Sequence, residues 1–158
     1  MDLQLTGKRA LVCGGSSGLG RAVATALVAE GAHVALLSRD AARLQAVADE
    51  LNAMGPGKAV IAPADLADHE ALLKAVDVAE AGLGGPIQIL LNNTGGPPPS
   101  GVAGLDPALW REQFEAMVLS VFRLTDRVMP GMRAMGWGRV LNVASTSVIE
   151  PIGTLGVS

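Results

Sequence analysis

Apolar residues in this chain fall into short, nearly continuous runs, separated by longer stretches in which they recur every three or four positions. The runs at 10–12, 33–37, 59–62, 87–91 and 140–144 predict five strands. The segment 19–28 between the first two runs is periodic and predicts a helix that ends at Gly31. Asp40 caps a second helix running to about residue 52, with Leu44, Val47, Ala48 and Leu51 on one face and a turn at 54–57 after it. Asp68 caps a third, whose inward stripe includes Leu72, Leu73, Val76 and Ala79, and Pro86 precedes the fourth strand. A loop at 93–105 holds consecutive prolines at 97 to 99, and Asp106-Pro107 then opens a long helix. Leu109, Phe114, Met117, Val121 and Leu124 are expected to face inward there. Pro130 is expected to kink or restart this helix, because Met132 and Met135 keep the spacing, and Gly136 and Gly138 close it.

Strands that alternate with helices predict a parallel sheet, and near-continuous apolar strands predict burial on both faces. Right-handed crossovers with a reversal after the third strand give the order 3-2-1-4-5 in a doubly wound α/β fold. The first two helices then cover one face and the later two the other, so strands four and five lack a cover on the first face. No internal repeat, linker or low-complexity tract divides residues 1–158, which read as one domain. A parallel sheet with an open apolar face is not expected to be stable alone. The expectation is therefore that these residues are part of a longer chain that continues past Ser158.

Composition narrows the class further. Apolar residues make up 49% and charged residues 17%, which describes a globular chain with an extensive core. A net charge of −3 offers no basic footprint for nucleic acid or an anionic membrane. Cys13 is the only cysteine, which excludes an intrachain disulfide and makes a reducing cytoplasm the natural setting. Asp2 stands where a signal peptide would be positive, and no apolar run reaches membrane-spanning length. The sequence holds no metal-ligand cluster; His33 and His69 read as structural residues.

The candidate chemistry begins at Cys13-Gly-Gly-Ser-Ser-Gly-Leu-Gly20, between the first strand and the first helix. Gly14 permits a tight turn out of the strand, Gly18 lets backbone approach a diphosphate, and Gly20 lets helix pack on strand. The helix start then offers free N–H groups and a positive dipole end to an anion. This stretch resembles the T-G-x-x-x-G-x-G signature of the short-chain dehydrogenases/reductases, with Cys13 in place of the threonine. The resemblance implies a Rossmann-like fold without the family's C-terminal elements, and dinucleotide contacts from Gly14, Ser16, Ser17, Gly18, Leu19 and Gly20.

Strand two ends Leu37-Ser38-Arg39-Asp40. Relatives that bind NAD place a carboxylate here on the ribose 2′-hydroxyl; Ser38 holds that place and Arg39 follows. A guanidinium matches a 2′-phosphate bidentately, so NADP(H) is favoured over NAD(H). The alternatives are a surface arginine beside a capping aspartate, an Arg39–Asp40 pair, or Asp40 in the ribose role. Asp65-Leu66 resembles the family's pair at the adenine edge, although Asp65 alone is equally a turn residue. Asn92-Asn93-Thr94-Gly95 resembles the N-N-A-G motif, so Asn92, Thr94 and Gly95 join the cofactor set.

The run 138–145 resembles the family's fifth strand, which ends in the catalytic serine, here Ser145. The alternative is a strand-terminating serine bonded to its own loop. The family's other catalytic groups are an asparagine in the fourth helix, a tyrosine that gives the proton, and a lysine that lowers the tyrosine pKa. The chain contains no tyrosine. Spacing puts Ser158 at the tyrosine position, the lysine beyond the end, and Met117 at the asparagine. Glu150 is the one ordinarily ionisable side chain after Ser145, and would donate a proton only if burial raised its pKa. The resemblance thus implies an NADP(H)-dependent oxidoreductase acting on a small carbonyl or alcohol substrate, as a homodimer or homotetramer. A second expectation is a relative that keeps the nucleotide crevice but has lost hydride chemistry, serving as a sensor or partner subunit. A different nucleotide fold, such as a methyltransferase, fits the later motifs poorly.

Overall fold

Because Ala10, Leu11, Val12 and Cys13 are all apolar, the first strand can be buried on both faces only at the centre of a sheet. The computed structural model, which describes residues 2–97, 99–101, 103–150 and 152, puts it there. Strand β1 (Arg9–Cys13) lies between β2 (His33–Leu37) and β4 (Ile89–Asn92), with β3 (Ala59–Ile61) outside β2 and β5 (Arg139–Asn142) outside β4. All pairings are parallel and the order is β3-β2-β1-β4-β5, as the crossover rule predicts. Side chains alternate across β1. Leu11 and Cys13 enter one core layer, and Ala10 and Val12 the other.

Helices α1 (Gly18–Ala29) and α2 (Ala41–Met54) cover the Val12 face with Ala24, Val28, Leu44, Val47 and Leu51. Helix α3 (His69–Leu83) covers the Leu11 face, together with α5 (Ser120–Ala134). Asp40 and Asp68 cap α2 and α3 through the amides of Arg43 and Ala71, as their positions predict. Arg127 on α5 binds Asp77 and Glu80 of α3 at 2.6 and 2.9 Å, fixing the second pair of helices together. No helix among the described residues is long and apolar enough to cross a membrane.

The long fourth helical segment departs from expectation. It comprises α4 (Pro107–Phe114), a π-helical turn at Glu115–Leu119, and α5. The helix continues through Pro130 to Ala134, as the spacing of Met132 and Met135 predicts, and an unpredicted break in register lies upstream at the wide turn. That turn rotates α4 relative to α5, which leaves Phe114 54% exposed where the periodicity put it inward. The stripe actually buried is Ser120, Leu124, Val128 and Met132.

The open face is also narrower than predicted. Ile89 and Leu91 of β4 are buried, whereas Leu141, in register with Leu91 and on the same face, is 48% exposed. Only β5 is uncovered on the α1–α2 side among the described residues.

Candidate functional site

Parallel strands end on one edge of the sheet, and the chain reverses direction across that edge between β1 and β4. A crevice forms at such a reversal because the flanking loops diverge to opposite faces. Here it has a volume of about 660 Å³, within the ordinary range for small-molecule sites.

Its floor is the glycine turn. Gly14 has φ +66°, and a Cβ there would lie 2.6 Å from the Asn93 amide nitrogen. At Gly20 a Cβ would run into the Gly14 carbonyl, so the glycine is what lets α1 rest on β1. Gly18, at φ +54°, faces open space. Ser17 is the N-cap of α1 but makes no side-chain cap, in contrast to the aspartates that cap α2, α3 and α4. The first-turn amides of α1 are thereby left to an anion.

One wall comes from β2 and β3. Ser38 and Arg39 line it with Asp65, Leu66 and Ala67. The Ser38 Oγ is buried with no hydrogen-bond partner, which is costly unless a ligand supplies one. Arg39 is 80% exposed in its side chain, and its Nη1 stands 3.9 Å from an Asp65 carboxylate oxygen. Asp40 serves α2, accepting from the Arg43 amide at 3.0 Å, and pairs with Arg43 rather than Arg39. Asp65 keeps both of its readings: it lines the crevice, and its Oδ1 accepts from the Ala67 amide as a turn residue does.

The other wall comes from the loop after β4 and from the fourth helical segment. Thr94, Gly95, Gly96 and Pro97 face Glu112, Gln113, Ala116 and Met117. The contribution of Glu112 and Gln113 has no counterpart in the expectations from sequence. The signal for it is the wide turn, which a plain helical periodicity conceals.

Ten of the expected cofactor residues meet in this crevice, namely Gly14, Ser17, Gly18, Leu19, Ser38, Arg39, Asp65, Leu66, Thr94 and Gly95. Ser16, Gly20 and Asn92 do not line it. Asn92 is buried inside the sheet, its Nδ2 donating to Asn142 Oδ1 at 2.8 Å, so it ties β4 to β5 while Asn93 takes the place on the crevice. Ser145 also stands outside the lining: its Oγ is 2.7 Å from Ser147 Oγ and accepts from the Ser147 amide at 3.1 Å. Those contacts match the alternative reading of a serine bonded to its own loop. Ser158 and Pro98 lie outside the described residues. Cys13 is sealed beneath the turn, where burial pushes its thiol up to about 12 and an Asn93 backbone hydrogen bond offsets part of that rise. It is an inert packing residue at neutral pH. Among the described residues no group of three or more histidine, cysteine or acidic side chains could hold a metal.

A family model described as short chain dehydrogenase matches residues 8–156. A short chain dehydrogenase of Pseudocercospora fijiensis is 40% identical over 152 residues, covering 94% of this chain and 48% of its own length. A fatty acyl-CoA reductase of Mycobacterium tuberculosis is 37% identical over 158 residues, covering 97% and 52% respectively. The chain thus spans about half the length of these curated relatives. Among solved structures, the L-sorbose reductase of Gluconobacter frateurii, complexed with NADPH and L-sorbose, superimposes with a TM-score of 0.94. It is 30% identical, and the match covers 99% of this chain and 59% of the reductase.

Proposed function

The chain belongs to the short-chain dehydrogenase family, and from that premise we propose that its crevice binds NADP(H) for the interconversion of a carbonyl and an alcohol. The observation that carries the reading is the conjunction, in one crevice, of an uncapped helix start, an unpartnered Ser38 hydroxyl and the Arg39 guanidinium. These groups fit a dinucleotide that carries a 2′-phosphate. The α1 amides hold the diphosphate, Ser38 Oγ and Arg39 hold the ribose phosphate, and Asp65 and Leu66 border the adenine. Thr94 and Gly95 present backbone to the opposite half of the ligand. When bound, the cofactor supplies the hydride of the reaction. Ser145 is the residue assigned to the substrate carbonyl, and reaching it requires its hydroxyl to leave Ser147. A homodimer or homotetramer through the fourth helical segment remains part of the proposal.

Titration of intrinsic and cofactor fluorescence with NADPH and NADH, on the chain and on Arg39→Ala, tests this. NADPH should bind more tightly, and the substitution should weaken it about tenfold or more, the scale of one charge-assisted hydrogen bond, while barely touching NADH. Equal affinities for the two cofactors would remove the phosphate role, and binding of neither would overturn the assignment.

A second reading is nucleotide binding without hydride chemistry. It is favoured by Met117 at the place of the family's asparagine and by the loop-bound state of Ser145. Carbonyl-dependent oxidation of NADPH that disappears in Ser145→Ala would dispose of it.

A further inference from the structure

The π-helical turn at Glu115–Leu119 leaves one carbonyl in difficulty. The Ser120 amide donates to Glu115 O, five residues back, whereas an α-helix would direct it to Ala116 O. The Ser120 hydroxyl takes over, donating to Ala116 O at 2.6 Å. A serine in an ordinary helix shares its i−4 carbonyl with its own amide. Here the amide has been withdrawn and the hydroxyl stands in for it. Ser120 is fully buried, the one polar member of the stripe that α5 sets on the sheet. A second strut crosses the same turn, with Arg123 Nη1 lying 2.7 Å from Glu115 Oε2. The turn positions one wall of the crevice: Ala116 and Met117 within it, and Glu112 and Gln113 just before it, all line the crevice.

We propose that Ser120 is a positioning residue whose hydroxyl holds the wide turn open and so sets the Ala116–Met117 wall of the crevice. Without that donor the segment reverts toward α-helical register. Everything N-terminal to the turn then rotates by about 100°, the angle of one residue. The inference rests on the dinucleotide reading for its consequence in binding, and on the turn alone for its geometry.

The test uses the chain labelled with ¹³C at its methionine methyls, the Met117 resonance being identified with Met117→Leu. In free Ser120→Ala the Met117 methyl should shift while that of Met132, buried at the far end of α5, stays in place. NADPH affinity should fall about fivefold, on the scale of one neutral hydrogen bond. Adenosine 2′,5′-bisphosphate, which reaches only the Ser38–Arg39 end, should bind as before. An unmoved Met117, a Met132 that moves equally, or a parallel loss of both ligands would each overturn the assignment. Should the alanine variant not fold, Ser120→Cys keeps the volume with a weaker donor, and an unmoved Met117 there overturns the assignment in the same way. If the unsubstituted chain binds neither ligand, the dinucleotide reading falls, while the Met117 shift still decides the role of Ser120.

Discussion

Substituting Gly20 by alanine separates packing from ligand contact at the glycine turn. The added Cβ would sit 2.6 Å from the Gly14 carbonyl carbon and 2.8 Å from the Cys13 carbonyl oxygen, and closer still to the Gly14 oxygen. All three are backbone atoms, so no rotamer change relieves the clash, and α1 must retreat from β1 by roughly 1 Å. Overpacking of this kind costs about 1–3 kcal/mol, or a Tm lowered by about 2–12 °C in a chain of this size. The retreat also carries the first-turn amides away from the crevice, and NADPH affinity should drop about tenfold, the loss of about one charge-assisted hydrogen bond. Gly18→Ala is the control. Its Cβ enters open space at φ +54°, costing roughly 1–2 kcal/mol of left-handed strain without moving the helix. Thermal unfolding followed by far-ultraviolet circular dichroism, with NADPH titration of each variant, measures both effects. A Gly20→Ala protein with unchanged Tm and unchanged affinity would show that α1 does not rest on β1 through this glycine.

Burial of the Cys13 thiol gives a pH dependence of definite sign. With the ordinary value near 9.0 and the folded value about 12, the folded chain holds a proton that the unfolded chain releases. Stability from this group is therefore intact below pH 9 and is lost as pH rises toward 12, by about 1.4 kcal/mol per unit. Urea midpoints at pH 8 and 10 should show the fall in the natural chain and not in Cys13→Ala, and the native thiol should resist thiol reagents at pH 8. Asn142→Ala leaves the buried Asn92 Nδ2 without its acceptor, and should cost about 1 kcal/mol in chemical denaturation with little change in NADPH affinity. Arg39 and Ser120 act on opposite walls with no shared partner, so their effects on NADPH affinity should multiply in Arg39→Ala/Ser120→Ala. A double variant no weaker than the worse single one would contradict that independence.

The centre of the sheet was legible because burial on both faces leaves apolar residues at 10–13 of β1, 34–37 of β2 and 89–91 of β4. The caps at Asp40, Asp68 and Asp106 were legible because side-chain acceptors for orphan amides come from few residue types. Phe114 misled for a definite reason. A periodicity assumes one helical register from end to end, and the π-helical turn adds a residue to one turn of the segment. Ser120 is the polar member of the stripe the structure buries, a position the expected stripe passed over. Asn92 and Ser145 show a different limit. Asn92 ends β4 and Ser145 lies three residues past the end of β5, but the sequence does not say whether such a group turns to a ligand or to its neighbour. Asn92 turned to Asn142, and Ser145 to Ser147.

On the dinucleotide reading proposed above, the two walls of the crevice differ in how they would meet a ligand, and that difference explains which half was readable. The α1 side works through backbone amides, whose exposure depends on the absence of side chains, and glycine advertises that absence in the sequence. The α4 side presents side chains whose direction depends on the register of the π-helical turn at Glu115–Leu119. On the proposed role of Ser120, a substitution there should reshape the Ala116–Met117 wall without altering any residue that lines the crevice. The glycine turn leaves less freedom, because Gly14 and Gly20 are each hemmed in by backbone or side-chain atoms within 3 Å. Sequence change that reshapes this crevice is thus freer along the fourth helical segment than at the glycine turn.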